Sequence, residues 1–126
     1  MASQKTILVV DDEPDVLTYL STLLEDHGYA TITAKDGVEA YAQVKARPPD
    51  LITLDVSMPE KSGVKFYREM KEDAGWKKIP IIIITGISDD FKNFISTRRQ
   101  VPPPEGYLSK PINPEELLSL IKKLAA

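Results

Sequence analysis

The chain has 126 residues, of which 42% are hydrophobic and 28% charged, so it can form one globular domain with a single core but is too short for a second. A formal net charge of −3 argues against a direct nucleic-acid surface, and the absence of cysteine excludes disulfides, thiolate metal sites and cysteine nucleophiles. No apolar run approaches the roughly 20 residues that span a bilayer, and a strand starting at Thr6 leaves no room for a signal peptide, so a cytoplasmic protein is expected.

The first half of the chain predicts three strands and two helices. In chain order they are a strand at Thr6 to Val10, a helix entered through Asp11 to Pro14 and closed by Gly28, a strand at Tyr29 to Ala34, a helix capped at Asp36 and Gly37, and a strand from Leu51 to Leu54. Helical spacing marks a buried face of the first helix, formed by Val16, Leu17, Leu20, Leu23 and Leu24. In the second helix Val38, Tyr41 and Ala42 are expected to point inward.

The second half predicts two more strands and three more helices. In order they are a helix after Gly63 with Val64, Tyr67 and Met70, a strand in the apolar run Ile79 to Ile84, a helix at Phe91, Phe94 and Ile95, a strand at Tyr107 to Ser109, and a helix from Asn113. The last helix should bury the side carrying Leu117, Leu118, Ile121 and Leu124. A proline segment, Pro102 to Pro104, precedes the last strand.

Strand and helix patterns thus alternate five times along the chain. This alternation favours a parallel sheet covered on both faces, because right-handed crossovers place the helices there. We predict a single α/β domain over residues 1–126, a flavodoxin-like three-layer sandwich with five helices. Its five parallel strands should have the order 2-1-3-4-5.

Four of the predicted strands end in polar side chains. The first is followed by Asp11 and Asp12, the third by Asp55, the fourth by Thr85 and the fifth by Lys110. In a parallel sheet these ends lie on one edge, where open α/β sheets bind their ligands. Three carboxylates, a hydroxyl and an ammonium are therefore expected to converge, which predicts a phosphoryl-transfer site.

The carboxylates of this edge would repel one another unless a cation is bound. Oxygen ligands suit a hard divalent ion such as magnesium, and the motif segments contain no histidine or cysteine that would indicate zinc. Asp55, at the tip of the central strand, is the best placed nucleophile, since carboxylates form aspartyl phosphates. Thr85 and Lys110 could hold the remaining phosphoryl oxygens.

Each of these features also has a simple structural interpretation. Asp11 and Asp12 alone could be a solvated turn beside a helix, Thr85 an ordinary strand residue, and Lys110 a surface lysine next to a turn proline. The functional interpretation depends on the coincidence, because four separate strand ends carry complementary chemistry at the one edge where it can meet.

Taken together, the motifs resemble the response-regulator receiver domains of two-component signalling. They are Ile7 to Glu13, Asp55 to Pro59 with Gly63, Ile84 to Gly86, and Tyr107 to Pro111. The resemblance implies that Asp55 accepts a phosphoryl group from a histidine kinase or a histidine phosphotransfer protein. It also implies Mg²⁺ ligands at Asp11, Asp12, Asp55 and the backbone carbonyl of Ser57, with Thr85 and Lys110 contacting the phosphoryl group.

The resemblance also suggests how a signal would leave the site. Phosphorylation adds roughly −1.5 to −2 charges, and in receivers a shift of the threonine, here Thr85, accompanies an inward turn of an aromatic, here Tyr107. The alternative for Tyr107 is a half-buried edge aromatic. The face formed by the fourth helix, fifth strand and fifth helix would then bind a downstream protein or a second copy, although the residues from Arg99 to Gly106 depart from the family pattern there.

Three other functions compete with a phosphoacceptor that catalyses only its own phosphorylation and dephosphorylation. An aspartate-nucleophile phosphatase would want an acid where Ser57 stands, and in a flavodoxin-like electron carrier Asp11, Asp12 and Glu13 would repel the flavin phosphate. A receiver-fold docking adaptor that acts without phosphorylation remains the open alternative.

Overall fold

The structure, a computed structural model, describes residues 4–55, 62–85, 105–109 and 111–125. Its strands are β1 (Thr6–Val10), β2 (Ala30–Ala34), β3 (Leu51–Leu54), β4 (Ile81–Thr85) and β5 (Gly106–Ser109). Its helices are α1 (Pro14–Asp26), α2 (Gly37–Ala46), α3 (Ser62–Glu72) and α4 (Pro114–Leu124). The helix predicted at Phe91 to Ile95 and the segment Pro102 to Pro104 fall outside the described residues, so α4 corresponds to the fifth helix of the sequence prediction.

The five strands form one sheet in the order β2-β1-β3-β4-β5, and every neighbouring pair is parallel. This confirms the flavodoxin-like α/β order predicted from the sequence. The register aligns the strand ends, because Val10 pairs with both Ala34 and Leu54, and Thr85 pairs with Ser109. Asp11 and Asp55, which follow β1 and β3, therefore lie along the carboxyl edge of the sheet.

Successive residues of a strand point to opposite sides of the sheet. Helices cover both sides, so the strand residues pack in two clusters. Leu8 and Ile52 pack in one cluster with buried residues of α2 and α3, namely Ala40, Val44, Phe66, Tyr67 and Met70. Ile7 and Leu51 pack in the other cluster with buried residues of α1 and α4, namely Leu20, Leu24, Leu117 and Ile121. The inward faces predicted for α1 and α4 are thereby confirmed, since the other residues predicted for these faces pack against the same cluster.

The ends of the helices follow the signals in the sequence. Gly28, just beyond the C-cap of α1, has φ +90°, a conformation that glycine adopts without strain. The Asp36 carboxylate accepts a hydrogen bond from the Glu39 amide, and the Asn113 side chain accepts bonds from the amides of Glu115 and Glu116. These caps fix where α2 and α4 begin. In the part of the chain that the structure describes, every helix is too short or too polar to cross a membrane.

The inward face predicted for α2 was wrong at Val38 and Ala42, whereas the third predicted residue, Tyr41, packs against the core cluster. Val38 is 78% exposed and Ala42 is exposed, whereas Gly37, Ala40 and Val44 are buried. Tyr41 is half-buried and packs its ring edge-on against Trp76, with 5.5 Å between the ring centroids. Gly37 and Ala40 are small enough to let the helix lie close to the sheet. A search for large apolar residues does not detect such positions.

One core position carries an unsatisfied polar group. Thr53, at the centre of β3, is 1% exposed, and its hydroxyl has no hydrogen-bond partner among the described residues. Thr53→Val keeps the side-chain shape and removes the buried hydroxyl, so we expect the free energy of unfolding to rise by about 1 kcal/mol. Urea denaturation measures the change, with Thr33→Val on the exposed side of β2 as the control. A stability below that of the natural chain would contradict the expectation.

Candidate functional site

Two aspartates leave neighbouring strands at the same level of the sheet. Asp11 follows β1 and Asp55 follows β3, whose last residues, Val10 and Leu54, are register partners. The Asp55 amide donates to the Val10 carbonyl at 3.0 Å, and the Asp11 amide donates to the Ala34 carbonyl at 3.1 Å. The hydrogen-bond ladder thus continues into the two aspartates and holds their backbones rigidly.

The carboxylates of Asp11, Asp12 and Asp55, which we call the acidic cluster, converge at this edge. One carboxylate oxygen from each lies within 4.8 Å of the others. Asp11 and Asp55 are each 2% exposed, whereas Asp12 is exposed to solvent. The acidic cluster therefore combines two buried carboxylates with one that is exposed to solvent.

A local hydrogen bond orients the first of these carboxylates. Asp11 Oδ1 accepts from the backbone amide of Glu13 at 2.9 Å. This bond from a side chain to the amide two residues later is the Asx turn that aspartate favours, and it leads directly into Pro14 at the start of α1. The sequence interpretation did not include this role of Glu13, although an aspartate followed two residues later by a helix start is a signal for it.

The donor set of the acidic cluster fits a hard divalent cation. At 4.8 Å and an effective dielectric near 20, two unit charges repel by roughly 3 kcal/mol before screening, so the fold holds these groups together at a cost. A cation bound between the carboxylates attracts each of them, and these attractions outweigh the repulsion. Oxygen-only ligands are those that magnesium prefers, and zinc would favour imidazole or thiolate.

The remaining predicted site residues are described only in part. Thr85 is the last residue of β4, but its side chain is not among those described. Ser57 and Lys110 lie outside the described residues. Tyr107, in β5, is half-buried and packs against the cluster formed with α2 and α3. The structure thus brings together Asp11, Asp12 and Asp55 from the predicted set.

Comparison with known proteins gives a consistent result over most of the chain. A family model described as "Response regulator receiver domain" matches residues 7–122. The chain is 33% identical over 120 residues to Protein PilH of Pseudomonas aeruginosa, covering 95% of this chain and 97% of that protein. For some other curated relatives the chain spans about half of their length, 48% in one and 50% in another.

Solved structures agree with the sequence comparisons. The chemotaxis protein CheY4 of Vibrio cholerae superposes with a TM-score of 0.85 at 32% identity, covering 97% of this chain and 99% of that chain. The receiver domain of sensor histidine kinase PA1611 from Pseudomonas aeruginosa superposes with a TM-score of 0.83 at 25% identity, covering 98% of each chain. That second structure contains a magnesium ion coordinated in its active site cleft.

Proposed function

This chain belongs to the response regulator receiver domain family, and we propose that it accepts a phosphoryl group on Asp55 in a magnesium-dependent reaction. Receiver domains are signalling modules that interact with histidine kinases or phosphotransfer proteins. The phosphodonor would be a phosphohistidine on such a protein. We further propose that residues 1–126 act as a single receiver domain in the cytoplasm.

The observation that carries this proposal is the geometry of the acidic cluster. Asp55 is 2% exposed, and one of its oxygens lies within 4.8 Å of an oxygen of the solvent-exposed Asp12. A nucleophile needs that combination, because it must be held in one orientation and still meet the donor. The buried partner Asp11 supplies the second fixed charge of a cation site.

The proposed reaction is one substitution at phosphorus. An Asp55 carboxylate oxygen attacks the phosphorus atom, an O–P bond forms, the P–N bond to the donor imidazole breaks, and the imidazole nitrogen takes up a proton. Asp11, Asp12, Asp55 and the Ser57 carbonyl would hold the magnesium ion. When bound, the ion would neutralise charge that develops on the transferring oxygens. Thr85 and Lys110 would contact the other phosphoryl oxygens.

The same residues offer a route for the signal. Added phosphoryl charge would draw Thr85 and Lys110 toward Asp55 and bias a two-state element. Tyr107, half-buried in β5, is the proposed responding side chain. The face formed by β5, α4 and the preceding predicted helix would then bind a downstream protein or a second copy of the chain.

A small phosphodonor tests the phosphoacceptor function without knowledge of the kinase. We expect incubation with phosphoramidate and Mg²⁺ to add the mass of one phosphoryl group to the intact chain. Hydroxylamine should remove the adduct, because it cleaves acyl phosphates and leaves serine and threonine phosphates intact. A magnesium-independent or hydroxylamine-resistant adduct would contradict the proposal. An unmodified chain would favour the docking adaptor instead.

A further inference from the structure

A partly buried ion pair lies at the end of the sheet opposite to the acidic cluster. Lys71 Nζ is 2.7 Å from both Glu105 Oε1 and Glu105 Oε2. The Lys71 side chain is only 2% exposed, and that of Glu105 is 34% exposed. The partners are 34 positions apart, so the pair joins the last turn of α3 to the residue that immediately precedes β5.

The same carboxylate also bonds to the neighbouring strand. Glu105 Oε1 accepts from the backbone amide of Ile81, the first residue of β4, at 2.8 Å. The next residues along, Gly106 and Ile82, are register partners in the sheet. One carboxylate thus ties α3, β4 and β5 together, through hydrogen bonds that its charge strengthens.

The start of β5 is also closely packed. A Cβ atom on Gly106 would lie 3.1 Å from Ile82 Cγ1 and 3.5 Å from Leu120 Cδ1, so a larger residue would push against β4 and α4. Lys71 Nζ lies 5.9 Å from the centroid of the Tyr67 ring. Burial raises the pKa of the Tyr67 hydroxyl, and the Glu105 charge raises it further. The ion pair therefore lies beside the closely packed start of β5, with its ammonium buried and its carboxylate partly exposed.

Stability alone does not explain such a pair. Desolvation of the Lys71 ammonium and of the covered part of Glu105 largely offsets their attraction, so the pair adds little net stability compared with apolar side chains of the same size. Geometry is a better explanation, because a slip of β5 by one residue would turn each of its side chains to the other face of the sheet. A fixed charge at Glu105 makes that slip costly.

We propose that the Lys71–Glu105 ion pair is a positioning device that sets the register of β5 and thereby places Tyr107 and Lys110 relative to Asp55. Tyr107 belongs to the four-residue strand β5, which Glu105 precedes, and Lys110 is the next residue in the sequence after that strand. The inference rests on the proposed function, in which Lys110 contacts the phosphoryl group. Lys71 and Glu105 act through β5 and touch neither phosphoryl group nor metal.

The test compares two ligands that depend on different strands. Mg²⁺ alone probes the acidic cluster of β1 and β3, whereas beryllium fluoride with Mg²⁺, a tetrahedral analogue of the phosphoryl group, also requires the residue after β5. We expect Lys71→Met/Glu105→Gln to bind Mg²⁺ like the natural chain and to bind beryllium fluoride at least about tenfold more weakly, a typical loss when a supporting contact is removed. Titration calorimetry provides both affinities.

The two single variants distinguish an effect on the position of β5 from an effect on the stability of the fold. Glu105→Gln leaves a buried ammonium without a counter-charge, so its urea midpoint should fall most, and the double variant should recover much of that loss. Lys71→Met leaves a carboxylate that is 34% exposed and can be hydrated, so this variant should fold and show the same selective loss. The matched control, Glu72→Gln/Lys77→Met, makes the same chemical changes at exposed positions and should alter neither affinity.

The outcomes distinguish the inference from the function on which it rests. Natural affinity for beryllium fluoride in the double variant would overturn the positioning role and leave the proposed function intact. A parallel fall in Mg²⁺ and beryllium fluoride affinities would indicate general damage to the fold and would also overturn it. Failure of the natural chain to bind beryllium fluoride would contradict the proposed function itself, and the inference with it.

Discussion

Asp55→Asn is expected to reduce phosphoryl-adduct formation at least about 100-fold, because an amide cannot form the acyl phosphate. Asparagine has nearly the size of aspartate, so the buried position and the Asp55 amide bond to Val10 should persist. The loss should therefore reflect chemistry rather than unfolding. Intact-mass analysis after incubation with phosphoramidate and Mg²⁺ measures it.

The matched control for this variant is Asp26→Asn. Asp26 is an exposed carboxylate at the end of α1, outside the acidic cluster, and its replacement should leave adduct formation unchanged. An adduct of equal yield on Asp55→Asn and on the natural chain would show that a residue other than Asp55 is the phosphoacceptor.

Asp11→Asn is expected to change stability and metal binding in opposite directions. Removing one of the charges held within 4.8 Å of each other relieves repulsion, so the free energy of unfolding without metal should rise by about 1 kcal/mol after screening. Mg²⁺ affinity should fall at least about tenfold, because a carboxylate ligand is lost. The amide oxygen can still accept from Glu13, so the turn is preserved.

Urea denaturation with and without Mg²⁺ measures both effects, since a ligand that binds only the folded state stabilises it by RT ln(1 + [L]/Kd). Asp15→Asn is the control, because Asp15 is an exposed acid in the first turn of α1 and not a member of the acidic cluster. Equal stabilisation by Mg²⁺ in Asp11→Asn and the natural chain would remove Asp11 from the proposed ligands.

The sheet and the acidic cluster were predictable because short-range signals and parallel topology determine them together. Runs such as Ile7 to Val10 and Leu51 to Leu54 are nearly all apolar and only four residues long, which is typical of a buried strand. Once these strands are parallel, the residues that follow them share one edge. The convergence of Asp11, Asp12 and Asp55 then needs no knowledge of side-chain packing.

The helices were predicted less accurately where small residues define the buried side. In α1 and α4 large apolar residues mark that side, and the prediction was confirmed there. In α2 the buried positions are Gly37, Ala40 and Val44, so a criterion based on Val38 and Ala42 selected the wrong phase. A periodicity criterion locates large apolar residues, whereas the buried side of a helix that packs closely on a sheet can be formed by small ones.

The Lys71–Glu105 pair had no signal in the sequence. A lysine in the last turn of a helix usually lies in solvent, where it interacts favourably with the helix dipole. Its partner is 34 positions away, in a segment whose composition gives no hint of a contact with α3. Burial of such a charge is decided by tertiary structure, which brings Glu105 and the Ile81 amide to the same point.

The most direct measurement for the proposed mechanism is a crystal structure of the chain with Mg²⁺ and beryllium fluoride. We expect the beryllium to be bonded to an Asp55 carboxylate oxygen and the magnesium to contact oxygen atoms of Asp11, Asp12 and Asp55. Beryllium fluoride bound to another side chain, or a magnesium ion away from these three carboxylates, would contradict the mechanism.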